Sequence, residues 1–269
     1  MSAIGIFDSG MGGLTVMRAL MARLPDEQFV YLGDTARLPY GTKSGGTVTR
    51  YAVQAAGFLM RRQVKMVVVA CNTVSAVALP ALEAALAPVP VIGVVEPGAE
   101  AALAAAPHGP IAIIATEGTV KGGAYRRAIR ARASNVPVVQ QACPLFVPLA
   151  EEGIVDGEIA DAVARRYLEP LFSTLPRPKC LVLGCTHYPV LRDTIAKFAG
   201  PDVILVDSAA TTAEAVARVL AERGLAATSG GGAHSFLVTD APDRITRVGA
   251  IFLGQPIDPG AVELVDLQD

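Results

Sequence analysis

Short, unbroken apolar runs recur along this chain, each closed by a small polar turn and followed by a helix-length amphipathic stretch. The run at 65–70 (KMVVVA) is the clearest. A strand that is apolar on both faces has to be covered on both. Helices of about 10–15 residues between such strands supply that cover, which is the pattern of a parallel sheet. Strands are expected at 3–7, 28–32, 65–70 and 90–94, with helices at 14–24, 47–62 and 76–86. A second series follows, with strands at 111–115, 136–140, 180–183 and 203–206 and helices at 118–133, 159–172, 190–198 and 210–223. Residues 235–239 and 250–253 read as short final elements.

The two series resemble each other. The segments at 3–20 and 112–129 both run strand, small polar turn, helix; Asp8 falls opposite Thr116 at an offset of 108, and Gly10 opposite Gly118. VVVACNT at 67–73 and LVLGCTH at 181–187 each set a cysteine just beyond an apolar strand, at an offset of 114. An internal duplication accounts for both. The expected fold is α/β: two pseudosymmetric parallel-sheet domains facing each other, with the site in the cleft at the C-terminal ends of their strands. The chain is expected to divide into a discontinuous first domain, 1–97 plus 207–269, and a second, 98–206.

Composition narrows the function. Of the 269 residues, 52% are hydrophobic and 18% charged, enough apolar surface to offset the entropy of folding. The 23 basic residues are matched by 25 acidic ones, and no Lys/Arg run exceeds two, so a nucleic-acid backbone is not an expected partner. No apolar stretch approaches the roughly 20 residues of a membrane span, and MSAIGIFDSG lacks the basic start and apolar run of a secretion signal. Four scattered cysteines do not make a disulfide scaffold. A cytoplasmic protein is expected.

Those cysteines differ in setting. Cys180 lies inside a strand and Cys143 lacks polar neighbours, so both read as small buried hydrophobes. Cys71 in ACNT and Cys185 in GCTHYP follow strands and are flanked by hydroxyl or amide side chains, a setting in which a thiol is activated by helix N-terminal amides or a nearby cation. His187, one of three histidines, stands two residues past Cys185, either to tune a thiolate or as a satisfied structural residue. Asp8 directly follows a strand and precedes Ser9, Gly10, Gly12 and Gly13, where it either binds an ammonium group or caps a helix. Other chemistries fit poorly. The glycines of DSGMGG, with Asp34 downstream, suggest a dinucleotide fingerprint, but Thr15 occupies the third glycine position. Cys-x-x-Cys is missing, and Cys185 and His187 lack an assured third metal ligand. Lys43 and Lys121 are the only lysines that suggest a pyridoxal Schiff base, with nothing else to support one.

Six segments together, FDSGMGG (7–13), GDTARLPYG (33–41), ACNTVSA (70–76), ATEGTVKGGAY (115–125), CPLFVPLAEEG (143–153) and GCTHYP (184–189), resemble the glutamate racemases of the cofactor-independent aspartate/glutamate racemase superfamily over nearly the full length. Gly122 stands where that family usually has serine. The resemblance implies that Cys71 and Cys185 are acid/base residues on opposite faces of the substrate. Asp8 would assist on the Cys71 side, and His187 with Glu151 on the Cys185 side, Glu152 being the adjacent alternative. Ser9, Tyr40, Gly41, Asn72, Thr73, Thr116, Thr119 and Thr186 match positions that hold substrate carboxylate or amino groups. It further implies a small-molecule substrate, L- or D-glutamate, no cofactor or metal, and a role in making D-glutamate for peptidoglycan. Monomer and homodimer both stay open. A thiol hydrolase built on Cys185, His187 and Glu151 and a non-catalytic binder of an acidic metabolite are the competing readings.

Overall fold

The computed structural model describes residues 2–173, 176–228 and 230–268. The first half comprises β1 (Ile4–Asp8), α1 (Leu14–Arg23), β2 (Phe29–Gly33), α2 (Gly45–Arg61), β3 (Met66–Val69), α3 (Asn72–Val77), α4 (Leu79–Leu86), β4 (Val91–Gly93) and α5 (Val95–Ala105). The second comprises β5 (Ile111–Ala115), α6 (Glu117–Gly122), α7 (Ala124–Arg132), β6 (Val138–Ala142), α8 (Phe146–Glu151), α9 (Gly157–Phe172), β7 (Cys180–Gly184), α10 (Arg192–Ala199) and β8 (Ile204–Asp207). The chain ends with α11 (Ser208–Glu222), β9 (Ser235–Val238), α12 (Pro242–Leu253) and β10 (Val262–Leu264).

The strands form two parallel sheets, a six-stranded one ordered β10-β9-β2-β1-β3-β4 and a four-stranded one ordered β6-β5-β7-β8. The four strands β2-β1-β3-β4 and the four strands β6-β5-β7-β8 follow the same spatial order, so the two α/β halves repeat one plan. Strands β9 and β10 extend the first sheet only. Helix α5 packs on α7, β7 and β8, and α11 packs back on α1 and α5.

Strand periodicity divides the interior. Ile4, Ile6, Met66 and Val68 face the same continuous core as Ala112, Ile114, Leu181 and Leu183 of the other sheet. Their chain neighbours point the opposite way, Phe7, Val67 and Val69 into a core under α2 and α4, and Ile111, Ile113 and Val182 into one under α5 and α7. Each fully buried aliphatic side chain contributes about 1.5–3 kcal/mol, so the shared core ties the halves together while each keeps a core of its own.

The pattern-based reading and the structure part company at helix joints. The expected helix at 76–86 is two helices, α3 and α4, which meet at Ala78 just before Pro80 removes an amide donor. The one expected at 118–133 breaks at Gly123, whose φ of 64° closes α6 in the left-handed conformation. The helix ending at 253 starts far earlier, at Pro242, and β10 follows it. Val262–Leu264, with two of its three residues exposed, is too short to set up a recognisable strand pattern.

Candidate active site

The first turns past β1, β3, β5 and β7 converge on one cavity of about 320 Å³, at the small end for ligand sites. Ser9, Gly10, Cys71, Asn72 and Thr73 come from the first half, and Thr116, Glu117, Cys185, Thr186 and His187 from the second. Tyr40 and Gly41 enter from the loop after β2, and Glu151 from the end of α8. Asp8 and Thr119 do not line it. Both sit one layer behind, 1% and 2% exposed.

Local sequence explains this convergence. A parallel strand ending in small residues leaves room for close approach of the opposite half. A Cβ on Gly12 would collide with the Thr186 and His187 side chains, and one on Gly118 would lie 2.8 Å from the Gly41 carbonyl. Gly122 fits the same pattern, since a Cβ there would lie 3.2 Å from Val77 and 3.4 Å from Ala76. Cross-links supplement the fit. Thr15 donates to the Thr186 carbonyl at 3.0 Å, and the hydroxyls of Thr73, Thr116 and Thr119 bond one another at 3.0–3.2 Å.

The two cysteines have different companions. Cys71 stands at the N-cap position of α3 and shares a hydrogen bond with Ser9 Oγ at 3.3 Å. Burial, then the Asp8 charge, pushes its thiol up to about 12, against the Ser9 hydroxyl and the Val74 amide. Asp8 Oδ2 accepts from the Gly10 amide at 2.9 Å, while Oδ1 has no partner among the described residues. Burial raises the Asp8 pKa, opposed by the charge of His187 and by the amides of Gly13, Gly10 and Ser9. On the other side, Cys185 Sγ lies 3.8 Å from His187 Nδ1, and His187 Nε2 lies 3.1 Å from Glu151 Oε1. Burial disfavours the imidazolium, but its bonds to Cys185 and Glu151 win, and the His187 pKa stands at about 10. Glu151 is held below its ordinary value because the hydrogen bond and charge of His187, with the charge of Arg244, overcome its burial. Glu152 is exposed, so Glu151 is the glutamate that faces the cavity.

Neutral donors dominate the rest of the wall. Asn72 Oδ1 accepts from Tyr125 at 2.7 Å, which leaves its Nδ2 buried with no protein partner among the described residues. Tyr40 gives its hydroxyl to Asp34, which also takes Arg37 Nε at 2.6 Å and Thr239 at 3.0 Å. Asp34 is fully buried by these bonds and cannot meet a ribose, the role the dinucleotide fingerprint would require. Lys43 is half-buried and Lys121 exposed, and neither lines the cavity. Among the described residues, no group of three or more His, Cys, Asp or Glu is placed to hold a metal ion, and no helix is long and apolar enough to cross a membrane.

Sequence reasoning missed several contributors. Arg244 reaches Glu151 Oε2 at 2.9 Å from α12, 93 positions away in the chain and in no motif. Leu38, Pro39, Pro144, Val147 and Pro148 form an apolar rim. Those residues lie within the quoted segments, so their presence near the site was legible but not their purpose.

Comparisons with known proteins agree with this fold. The family model described as Asp/Glu/Hydantoin racemase matches residues 9–216. A glutamate racemase of Geobacter metallireducens is 52% identical over 255 residues, 94% of this chain and 93% of that protein. The crystal structure of the Francisella tularensis glutamate racemase in complex with D-glutamate superposes with a TM-score of 0.92 at 38% identity, covering 99% of this chain and 98% of that one. A Bacillus anthracis glutamate racemase isoform gives 0.94 at 36% identity, with the same coverage. The chain belongs to the Asp/Glu/Hydantoin racemase family and groups there with the glutamate racemases.

Proposed function

We propose that this protein interconverts L- and D-glutamate by two-base proton transfer at Cα, with Cys71 and Cys185 as the bases on opposite faces of the substrate. The observation that carries the reading is that equivalent strand ends bring two thiols into one small cavity, each with its own proton-handling partners. Starting from L-glutamate, the Cys185 thiolate takes the Cα proton and the C–H electron pair stays on the substrate as a carbanion or enediolate-like state. The Cys71 thiol then gives its proton to the opposite face. The cycle ends with Cys185 protonated and Cys71 as thiolate, ready for the reverse reaction from D-glutamate.

The side-chain chemistry fits these roles. A high Cys71 pKa suits a proton donor, and His187 Nδ1, 3.8 Å from Cys185 Sγ, is placed to exchange a proton with that thiol. Cα is a very weak acid, so the developing charge needs donors fixed in advance. Asn72 Nδ2 and the hydroxyls of Ser9, Thr73, Thr116 and Thr186, with Tyr40 and Gly41, are proposed to hold the carboxylates and amino group. Thr119 supports Thr73 and Thr116 from behind. Asp8 is proposed to pass protons to Cys71 and to keep the substrate ammonium charged, which favours loss of the neighbouring proton. The wider reading is D-glutamate supply for peptidoglycan in the cytoplasm, from two lobes divided at 97/98 and 206/207. The pairing of β9 and β10 with the first sheet supports the return of the chain to the first lobe, while the two boundaries fall inside α5 and β8.

The test is optical rotation of L-glutamate with metal-free protein and no added cofactor. Decay to zero is expected, with loss in both Cys71→Ser and Cys185→Ser. Racemisation surviving Cys71→Ser would contradict the two-base step, no racemisation by the wild type would leave the hydrolase and binding readings ahead, and decay of L-aspartate alone would overturn the substrate.

A further inference from the structure

The helix α12 packs behind two cavity residues, Glu151 and His187, from outside the repeated units. It follows β9, a strand with no counterpart in the four-stranded sheet. It meets the Cys185 side twice. In its first turn, Arg244 Nη2 donates to Glu151 Oε2 at 2.9 Å, while the other oxygen of that carboxylate meets His187 Nε2 at 3.1 Å. Near its far end, Phe252 stands edge-on to the His187 ring, centroids 5.0 Å apart at 72°. On the Cys71 side the thiol partner is Ser9 Oγ, with Asp8 behind it.

We propose that Arg244 is a positioning residue for the proposed reaction, acting on Cys185 through Glu151 and His187, with Phe252 fixing the plane of the imidazole. This rests on the racemase reading above. A carboxylate bonded through one oxygen swings about its side-chain torsions; a guanidinium on the second oxygen removes that freedom. Glu151 Oε1 is then held toward Nε2, and Nδ1 is presented to the thiol. The charged and titratable groups facing this pair are Arg244 from α12, Cys185 beyond β7 and Asp8 at the end of β1. The same guanidinium helps keep Glu151 ionised.

Enantiomers have equal free energy, so any loss in kcat/KM is the same from L- and D-glutamate. The one-sided effect has to be read at the thiols. Wild type, R244Q, R244K and R247A would be alkylated with iodoacetamide across pH. Each cysteine would be followed by peptide mass spectrometry, with circular-dichroism melts to confirm folding. Arg247 lies exposed one turn along the same helix and controls for loss of charge.

In R244Q, alkylation of Cys185 at pH 7 is expected to slow about tenfold while Cys71 stays within about twofold, because the thiolate is the reacting form. Its kcat/KM should fall about tenfold, part of the roughly 10²–10⁴ a positioned acid–base group contributes. The acid limb should move to higher pH as Glu151 becomes easier to protonate. R244K should recover most of both losses, and R247A should match wild type. Equal slowing at both thiols, an R247A effect equal to that of R244Q, or an unmoved acid limb with no recovery in R244K would overturn the proposal. A wild-type protein that does not racemise glutamate would instead sink the functional reading, and the alkylation comparison would still decide whether Arg244 acts on Cys185.

Discussion

Asp8 is buried with one carboxylate oxygen unpartnered among the described residues, and its pKa is raised above the ordinary 3.8 chiefly by that burial. A carboxyl raised in the folded state contributes stability that is fully present below the unfolded value and is lost as pH rises through the folded one. At neutral pH it therefore weighs against the fold. Asp8→Asn should raise Tm at pH 7, with the gain shrinking toward pH 3.8, and lower kcat by about 10–100-fold as proton exchange at Cys71 is lost. A lower Tm at pH 7 would contradict this account. The His187–Glu151 pair works in the opposite sense. His187 is raised from 6.5 to about 10, so its contribution is complete below 6.5 and lost as pH climbs through about 10. Glu151 is depressed from 4.5, so its contribution is complete above 4.5 and lost as pH falls through its folded value. The melting deficit of His187→Asn should thus be widest between about pH 4.5 and 6.5 and close toward pH 10. Melts across pH would show a flat deficit if the pairing were unimportant.

Among the elements, the turn between β1 and α1 carries the most. Gly12 lets the first half touch Thr186 and His187, and a methyl there has nowhere to go. Gly12→Ala should destabilise by about 1–3 kcal/mol through overpacking and should displace His187, so kcat should fall more than stability does. A variant with wild-type kcat would mean that the halves adjust freely. Much of this architecture was legible in the sequence. Apolar runs fix where strands lie because burial on both faces demands them, and β5 at Ile111–Ala115 agrees with its expected limits to the residue. Cysteines at strand ends made Cys71 and Cys185 stand out for the same reason. Breaks such as Gly123 and Ala78 were not legible, because local conformation rather than periodicity decides them. Nor was Arg244 on α12, because a contact across 93 residues leaves no local pattern.

At the scale of the molecule, two copies of one plan share a core and a cavity, and each supplies one thiol. Ligand held by both halves should stabilise both. Saturating D-glutamate at about 100 times Kd should add about 2.7 kcal/mol to global stability. Hydrogen exchange should record similar gains in β1 and β3 and in β5 and β7. Protection confined to one sheet would contradict a site built from two. The central claim is that opposed thiols serve opposite faces, and it has a stereochemical consequence. In heavy water, the proton taken from L-glutamate stays on Cys185 while a solvent-derived deuteron is delivered from Cys71. At early conversion, deuterium should therefore be present at Cα of the D-glutamate formed and absent from the remaining L-glutamate, with the mirror result from D-glutamate. Equal early labelling of substrate and product, or product that retains the original proton, would contradict two-base transfer.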